Sequence, residues 1–270
     1  MGKLTGKVAI ITGAGRMRGI GKATALELAE LGADIVVTGT HRDPSTFPQD
    51  EKLVGWRDIE STAEQVRSLG RNALPLVVDV TNEEQVELMV EKTLQELGRV
   101  DILINNAAYA RGSDRVSTID LTPKIMQKVL DVKVKGTFLC SKAVAKVLLS
   151  QGQGGKIVTV SSTAGKSGQA QSLAYNAACF AQVGMTQSLA SELGPSGINV
   201  NCVCPGTTDT ARLDDIGRGE EWSRIVDSIP IGRSGTFEEV GRFIAYLCTE
   251  ESSWIHGQSI NINGGQVMEL

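Results

Sequence analysis

Short apolar runs alternate with helix-like patterns along most of this chain. Six runs rich in Val, Ile and Leu are bounded by turn residues and cover 8–11, 35–37, 76–78, 102–104, 157–160 and 198–203. The amphipathic or alanine-rich segments between them predict helices, the longest over 83–97, 124–149 and 173–193. Strands that are apolar on both faces are buried on both faces, which is typical of a parallel sheet between two layers of helices.

The alternation of strands and helices predicts an α/β fold with a doubly wound parallel sheet of the Rossmann type. With 270 residues, 41% of them hydrophobic, we expect residues 1–270 to form a single domain with a substantial core. Two segments interrupt the alternation. Residues 41–58 predict a long loop after the second strand, for which ligand binding and a tolerated surface insertion are equally good explanations. Residues 207–233 follow the sixth strand directly and predict a lid over the substrate.

Charge and cysteine content exclude several kinds of partner. The 27 basic and 31 acidic residues give a net charge of −4, so no nucleic-acid partner is expected. No apolar run reaches the roughly 18 residues of a membrane span, and the chain enters its first strand directly, so neither a membrane partner nor a cleaved signal peptide is expected. The five cysteines lack paired metal-ligand spacing, which predicts reduced thiols in a cytoplasmic protein and no metal site.

A glycine-rich turn joins the first strand to the first helix. It reads Thr-Gly-Ala-Gly-Arg-Met-Arg-Gly-Ile-Gly over residues 12–21. Glycines in such a turn let the backbone come close to a pyrophosphate, which is then held at the N-terminus of the helix. Because the turn lies between a first strand and an alanine-rich helix, it indicates a dinucleotide-binding site.

Ser162 and Tyr175 give the strongest indication of chemistry. Ser162 lies just after the fifth apolar run, and Tyr175 lies 13 residues later in a helical pattern. This spacing resembles the short-chain dehydrogenase/reductase family, whose proton-transfer tyrosine lies on a helix beside a serine at a strand end. The glycine-rich turn is similar to the family's Thr-Gly-x-x-x-Gly-x-Gly, with two extra residues in its middle. The resemblance covers about Gly6 to Gly265 and implies hydride transfer between a nicotinamide cofactor and a carbonyl or secondary alcohol.

The resemblance also implies which residues meet the cofactor. Those of the glycine-rich turn are Gly13, Gly15, Arg16, Arg18, Gly19, Ile20 and Gly21. The ends of the later strands contribute Gly39, Thr40, Arg42, Asp79, Val80, Asn106, Ala107, Pro205, Gly206 and Thr210. Tyr175 is expected to meet both the substrate and the cofactor.

The end of the second strand is where the choice between the two nicotinamide cofactors is expected to be made. Gly39 stands where the members of the family that prefer NAD have Asp. A small residue leaves room for a 2′-phosphate, with which Arg42, Arg16 or Arg18 could pair. NADP(H) is therefore predicted to be favoured over NAD(H), with Asp43 as the alternative ligand of the ribose.

Two exchanges distinguish this chain from the family's catalytic pattern. The motif Tyr-x-x-x-Lys ends here in Cys179, and Lys133 occupies the position of the family's catalytic asparagine. In the family, the lysine holds the ribose and assists the tyrosine, and a thiol cannot replace its charge. Because the exchanges lie on facing helices, our hypothesis is that Lys133 supplies the missing cation. In the alternative, Lys133 points to solvent and the site is inactive. Cys179 is expected to be a small apolar filler.

These observations leave three functions open. The first is an NADP(H)-dependent oxidoreductase in which Ser162, Tyr175 and Lys133 are catalytic. The second is a non-redox enzyme, of the lyase or hydrolase kind, that uses Ser162 and Tyr175. The third is a nucleotide-binding protein without turnover. The substrate is expected to be a small molecule, whose identity the sequence does not indicate. The final strand over 259–263 and the two long helices predict a homo-oligomer, either a tetramer or a dimer.

Overall fold

A seven-stranded parallel sheet forms the centre of the molecule in this computed structural model, which describes residues 2–269. In chain order its strands are β1 Val8–Ile11, β2 Asp34–Gly39, β3 Ala73–Val77, β4 Ile102–Asn105, β5 Gly155–Val160, β6 Ile198–Pro205 and β7 Ser259–Ile262. Their order in space is β3-β2-β1-β4-β5-β6-β7, so the direction of winding changes between β1 and β4. Crevices at such a switch point are where doubly wound sheets bind ligands.

Helices cover both faces of this sheet. They are α1 Ile20–Glu30, α2 Gln49–Leu53, α3 Ile59–Ser68, α4 Glu83–Leu97, α5 Pro123–Leu130, α6 Gly136–Gln151, α7 Leu173–Leu193, α8 Glu220–Asp227 and α9 Phe237–Leu247. One face is packed by α1, α3 and α9, and the other by α4, α6 and α7. Strand side chains alternate between these two cores, as Val36 and Val37 do, because successive residues of a strand point to opposite faces. The predicted doubly wound fold is therefore confirmed.

The third strand begins earlier than its apolar run indicated. It was predicted over 76–78, and it spans Ala73–Val77 with Pro75 opposite Val37. Proline has no backbone N–H to donate to a neighbouring strand, so its presence weakened the strand pattern in the sequence. Because β3 is an edge strand, the missing donor is tolerated there.

The helix predicted over 124–149 is not uniform. It begins at Pro123, changes to a π-helical turn over Asp131–Lys135, and continues as α6 to Gln151. A π-helical turn changes which side chains face a neighbouring element and often occurs at a functional site. Here it carries Lys133, which is only 2% exposed.

Both long segments after strand ends contain local structure. Residues 41–58 form a 3₁₀ turn at Pro44–Thr46 and the short helix α2, and they bury Phe47 and Trp56. Residues 207–233 include the two-residue strand Thr208–Asp209, a 3₁₀ helix at Ala211–Ile216 and α8. Within the described residues, no helix is both long enough and apolar enough to cross a membrane.

Candidate active site

The predicted site residues converge at the carboxyl edge of the sheet. The glycine-rich turn follows β1, and the ends of β2 to β6 contribute Gly39, Thr40, Arg42, Asp79, Val80, Asn106, Ala107, Ser162, Pro205, Gly206 and Thr210. Lys133 and Tyr175 reach the same edge from the π-helical turn and from the first turn of α7. This convergence follows from the parallel topology, since all the strands end at one edge.

The loop that joins β5 to α7 is tied to both of its neighbours. Ser162 Oγ accepts a hydrogen bond from the backbone amide of Ala164 at 3.1 Å and so caps the turn that follows β5. Asn176 Nδ2, next to Tyr175, donates to the carbonyl oxygens of Ala164 and Ser167 at 2.8 Å each. The start of α7 is therefore held against the turn that begins at Ser162.

Lys133 points into the site and not to solvent. Its Nζ lies 5.3 Å from the centre of the Tyr175 ring and donates a long hydrogen bond of 3.5 Å to the carbonyl oxygen of Val160. Among residues 2–269, no carboxylate oxygen lies within 4.0 Å of this ammonium group. A buried cation without a carboxylate is rare unless it has a function. The Lys133 ammonium is therefore buried beside the Tyr175 ring and does not lie in solvent.

The backbone at Lys133 is clamped by the facing helix. The carbonyl oxygen of Lys133 accepts from Thr137 Oγ1 at 2.7 Å and from Gln182 Nε2 at 3.1 Å. Gln182 Nε2 also donates to Thr137 Oγ1 at 3.0 Å. Because Gln182 belongs to α7, this network fixes the π-helical turn relative to the helix that carries Tyr175.

Cys179 is packed beneath the turn that follows β5. Its side chain is fully buried, and its carbonyl oxygen accepts a hydrogen bond from Ser161 Oγ at 3.0 Å. A Cβ placed on Gly165 would lie 2.9 Å from the same carbonyl oxygen, so the turn and the helix are in close contact. These contacts agree with an apolar filler.

Two arginines that the sequence analysis did not identify lie against the Tyr175 ring. The guanidinium carbon of Arg115 is 4.2 Å from the ring centre, and that of Arg212 is 5.3 Å away. Arg115 forms an ion pair with the buried Asp114, and Arg212 Nη1 donates to the carbonyl oxygen of Tyr109. No periodic pattern in the sequence could have revealed them, because Arg115 lies on a loop and Arg212 in a short 3₁₀ helix within the segment 207–233.

The N-terminus of α1 is suited to hold a phosphate group. Gly19 provides no side-chain cap, and within residues 2–269 the amides of Ile20 and Gly21 donate to no acceptor. Unpaired amides and the helix dipole make such an end an anion-binding site. Gly13 has φ of +69°, and a Cβ there would lie 2.8 Å from the Cα of Ala107, so only glycine fits. The residues present therefore fit a dinucleotide.

The segment 41–58 is folded onto the glycine-rich turn. Trp56 Nε1 donates to the carbonyl oxygen of Gly15 at 2.7 Å, and Glu51 Oε1 accepts from the amide of Met17 at 2.9 Å. The Glu51 side chain is only 1% exposed. Of the two explanations for this segment, these contacts favour a part in ligand binding over a surface insertion.

The arginines predicted to meet a 2′-phosphate are all in ion pairs. Arg16 lies 3.7 Å from Glu51 Oε2, and Arg18 pairs with Asp50 and Asp214 at 2.6 Å each. Arg42 Nε donates to Asp58 Oδ2 at 2.6 Å, with Glu51 Oε2 at 3.6 Å from its Nη1. Each arginine predicted to meet the 2′-phosphate thus already has a carboxylate beside it, a pairing that the sequence does not indicate.

Asp58 places a carboxylate near the end of β2 and against the glycine-rich turn. A Cβ placed on Gly15 would lie 1.3 Å from Asp58 Oδ1, and a Cβ on Gly39 would lie 3.9 Å from the same atom. Its φ of +57° is uncommon for a residue other than glycine and marks a constrained position. Asp43, which the sequence analysis offered as the ribose ligand, instead accepts a hydrogen bond from the amide of Ser45 in the exposed turn that follows.

Several other predicted cofactor contacts hold the loops of the site together. Asn106 Nδ2 donates to the carbonyl oxygens of Thr12 and Gly13, at 2.9 and 2.8 Å. Asp79 Oδ1 accepts from both the amide and the hydroxyl of Thr81. Gly206 donates its amide to Ile262 at 3.0 Å. Within the part of the chain that the structure describes, no cluster of three or more His, Cys, Asp or Glu side chains could hold a metal ion.

Comparison with known proteins extends over nearly the whole chain. A family model described as enoyl-(acyl carrier protein) reductase matches residues 13–266. A short-chain dehydrogenase/reductase of Armillaria gallica is 34% identical over 98% of this chain and 97% of its own. The 3-oxoacyl-[acyl-carrier-protein] reductase of Synechocystis is 35% identical over 99% of this chain and 100% of its own. A solved short-chain type dehydrogenase/reductase from Mycobacterium marinum has a TM-score of 0.85 and 33% identity, covering 98% of this chain and 97% of its own.

Proposed function

This chain belongs to the short-chain dehydrogenase/reductase family, and we propose that it interconverts a carbonyl and a secondary alcohol with Lys133 in place of the family's lysine. The observation that carries this proposal is the position of the buried Lys133 ammonium, 5.3 Å from the centre of the Tyr175 ring. Tyr175 and Ser162 lie at the same edge of the sheet as the uncapped N-terminus of α1.

The proposed chemistry divides into hydride transfer and proton transfer. The nicotinamide cofactor, when bound, supplies the hydride to the carbonyl carbon or accepts it from the alcohol carbon. In the direction of reduction, Tyr175 gives its phenol proton to the carbonyl oxygen. Ser162 Oγ already accepts from Ala164, so its own proton is available to the substrate oxygen. The positive charge of Lys133 stabilises the phenolate that remains on Tyr175.

We propose NAD(H) as the cofactor, in place of the NADP(H) that the sequence analysis predicted. Arg16, Arg18 and Arg42 each have a carboxylate within 4.0 Å, which balances their charge, even though Arg42 Nη1 and Nη2 have no hydrogen-bond acceptor among residues 2–269. The carboxylate of Asp58, against Gly15 and near Gly39, is placed to accept hydrogen bonds from ribose hydroxyls. A phosphate with about two negative charges would be repelled by Asp58 and Glu51.

Three further features of the proposed enzyme rest on contacts or composition. We propose that residues 207–233 form the substrate lid, because Arg18 pairs with Asp214 and Arg111 with Asp215, which tie the segment to the loops after β1 and β4. All five cysteines are buried and unpaired, which supports the predicted cytoplasmic location. Half-exposed apolar side chains on α6 and α7, such as Phe138 and Phe180, support the predicted homo-oligomer.

Absorbance at 340 nm tests the redox proposal directly. Purified protein is mixed with NADH or NADPH and a panel of aldehydes, ketones and oxo acids, and with the oxidised cofactors and the corresponding alcohols. We expect substrate-dependent oxidation or reduction of the nicotinamide that Tyr175→Phe removes. Chromatography monitors the substrate in the same mixtures. Loss of substrate without any change in absorbance at 340 nm would instead identify the non-redox alternative that uses Ser162 and Tyr175.

A further inference from the structure

Three cations surround the Tyr175 ring, which is more than proton transfer requires. Besides Lys133, the guanidinium carbons of Arg115 and Arg212 lie 4.2 and 5.3 Å from the ring centre. Arg115 lies in the loop between β4 and α5, and Arg212 lies in the 3₁₀ helix Ala211–Ile216 of the proposed lid. The two arginines approach the tyrosine from different segments of the chain.

The charges of these groups are not all compensated. Arg115 is paired with Asp114, whose side chain is fully buried. For Arg212, by contrast, no carboxylate oxygen lies within 4.0 Å among residues 2–269, and its only hydrogen bond is from Nη1 to the carbonyl oxygen of Tyr109. Arg212 Nη2 is buried without any acceptor. An unpaired buried donor on a charged group is costly, so a site that keeps one is suited to an incoming acceptor.

We propose that Arg212, with Arg115 beside it, binds a carboxylate of the substrate, so that the enzyme interconverts an oxo acid and the corresponding hydroxy acid. This inference rests on the proposed oxidoreductase function and adds the class of substrate. In reduction, the carbonyl carbon gains the hydride and the carbonyl oxygen gains the proton of Tyr175. The carboxylate stays unchanged and serves only as the group that is recognised.

The geometry explains why a carboxylate close to the reacting carbonyl fits this site. A guanidinium group presents parallel N–H donors that match the two oxygens of a carboxylate. Both arginines lie against the ring that carries the proton-transfer hydroxyl. A substrate whose carboxylate binds to them would therefore have its reacting carbonyl only a few bonds away from that carboxylate. Stacking of a guanidinium on an aromatic ring stabilises by only about 0.5–2 kcal/mol and does not require a buried, unpaired Nη2.

Matched pairs of acids and esters test the proposal through turnover. Pyruvate, acetoacetate and levulinate, with the carbonyl at increasing distance from the carboxylate, are compared with their methyl esters in the presence of NADH or NADPH. We expect at least one acid to have a kcat/KM about 10–100-fold above that of its ester, because a hydrogen bond to a charged group contributes about 1.5–3 kcal/mol. Arg212→Gln should remove this preference by lowering kcat/KM for the acid, with little change for the ester.

Arg218→Gln is the matched control on the same segment. Arg218 stacks on Trp222, with its guanidinium carbon 4.1 Å from the centre of that ring, and pairs with Asp209. Its replacement changes the charge of the lid without touching Tyr175 and should leave the acid preference intact. Equal use of acids and esters by the wild type, or an equal loss for both in Arg212→Gln, would overturn the carboxylate site while leaving the redox function standing.

A binding measurement separates this proposal from the redox function. The three acids are titrated calorimetrically into Tyr175→Phe, which keeps the aromatic ring and removes the proton donor. We expect at least one acid to bind, and we expect Arg212→Gln in the same background to weaken that binding at least about tenfold. Binding that depends on Arg212 without turnover in the wild type would support the carboxylate site and contradict the oxidoreductase proposal. Failure of all three acids to bind, or binding that Arg212→Gln does not affect, would overturn the carboxylate site.

Discussion

Lys133 and Tyr175 lie on different helices, and the ammonium nitrogen of Lys133 is 5.3 Å from the centre of the tyrosine ring. The π-helical turn Asp131–Lys135 places this lysine, and Gln182 of α7 holds the backbone of the turn at 3.1 Å. The cation that the family motif would place four residues after the tyrosine thus comes from a different helix. Cys179, at the motif position, is buried in the packing beneath the turn after β5.

Removal of the Lys133 charge should lower turnover about as much as removal of the Tyr175 hydroxyl. We expect Lys133→Met and Tyr175→Phe each to reduce kcat by about 10²–10⁴, the usual range for a general acid-base contribution. The double variant should be no slower than the slower single variant, because groups that act as one unit fail together. Steady-state kinetics at 340 nm provide the measurement, and circular dichroism checks folding. Unchanged turnover in Lys133→Met beside an inactive Tyr175→Phe would show that the compensation proposal is wrong.

A lysine at the family's usual position should restore part of the activity. Cys179 lies four residues after Tyr175 on α7, so the two side chains share a face of the helix. In the Lys133→Asn background, Cys179→Lys should raise kcat for a redox substrate. Cys179→Met in the same background is the control, since it adds length without charge. Equal rates in these two double variants would mean that the charge is not what this position contributes.

Cofactor preference should follow the carboxylates near β2. We expect the wild type to bind NAD(H) more tightly than NADP(H), and Asp58→Asn to weaken NAD(H) binding by about 10–100-fold through the lost charged acceptor. Asparagine tolerates the positive φ at this position, so the backbone should be retained. Glu51→Gln should strengthen NADP(H) binding, because it leaves Arg16 and Arg42 with less compensated charge.

Calorimetric titration of both cofactors into each variant measures these effects. Asp43→Asn is the matched control, because Asp43 is exposed and bonded within its own turn. It should change neither affinity. A wild type that prefers NADP(H) would overturn the NAD(H) assignment and support the preference first predicted from Gly39.

The apolar surface of α6 and α7 should be buried between subunits. Phe138 and Leu149 on α6 are 50% and 48% exposed, which is unusual for side chains of this size on one helix of a monomer. We expect light scattering to show a tetramer or dimer at micromolar concentration, and Phe138→Glu with Leu149→Glu to give a smaller assembly. Leu53→Glu, at an exposed position on α2, should have no such effect. A wild type that is strictly monomeric would exclude the predicted homo-oligomer.

Asp101 should contribute stability that depends on pH. Burial alone would raise the pKa of this carboxyl, but hydrogen bonds from Arg99, Val8 and Lys7 outweigh burial and hold it below its ordinary value of 3.8. Because the folded-state pKa is the lower one, the stabilisation is present above pH 3.8 and is lost as the pH falls through the folded-state value. Asp101→Asn should therefore reduce the free energy of unfolding by about 1–3 kcal/mol at neutral pH, and by progressively less as the pH falls below 3.8.

Thermal unfolding from pH 7 to pH 3 measures this difference. Glu83→Gln is the control, because the pair of Glu83 with Lys142 is exposed and contributes little. A loss of stability in Asp101→Asn that is the same at every pH would indicate a packing effect and not the loss of a charge.

The sequence predicts best those features of the fold that depend on a short stretch of chain. The strand Ile102–Asn105 is buried on both faces, and that burial imposes an apolar composition on its first three residues. The edge strand Ala73–Val77 was misplaced because Pro75 is acceptable only where one side of the strand needs no donor. The π-helical turn at Asp131–Lys135 left no trace in the periodicity, since one inserted residue changes a helical pattern only slightly.

The sequence by itself determined the doubly wound sheet, the glycine-rich turn and the spacing of Ser162 and Tyr175, because each depends on backbone geometry over a short stretch of chain. Only the tertiary structure decided how charges are paired. It placed Glu51 and Asp58 on the glycine-rich turn, and it placed Arg115 and Arg212 on the tyrosine ring. The sequence shows which side chains are charged. It does not show which of them pair, because the partners are far apart in the sequence and are brought together by the conformation of loops.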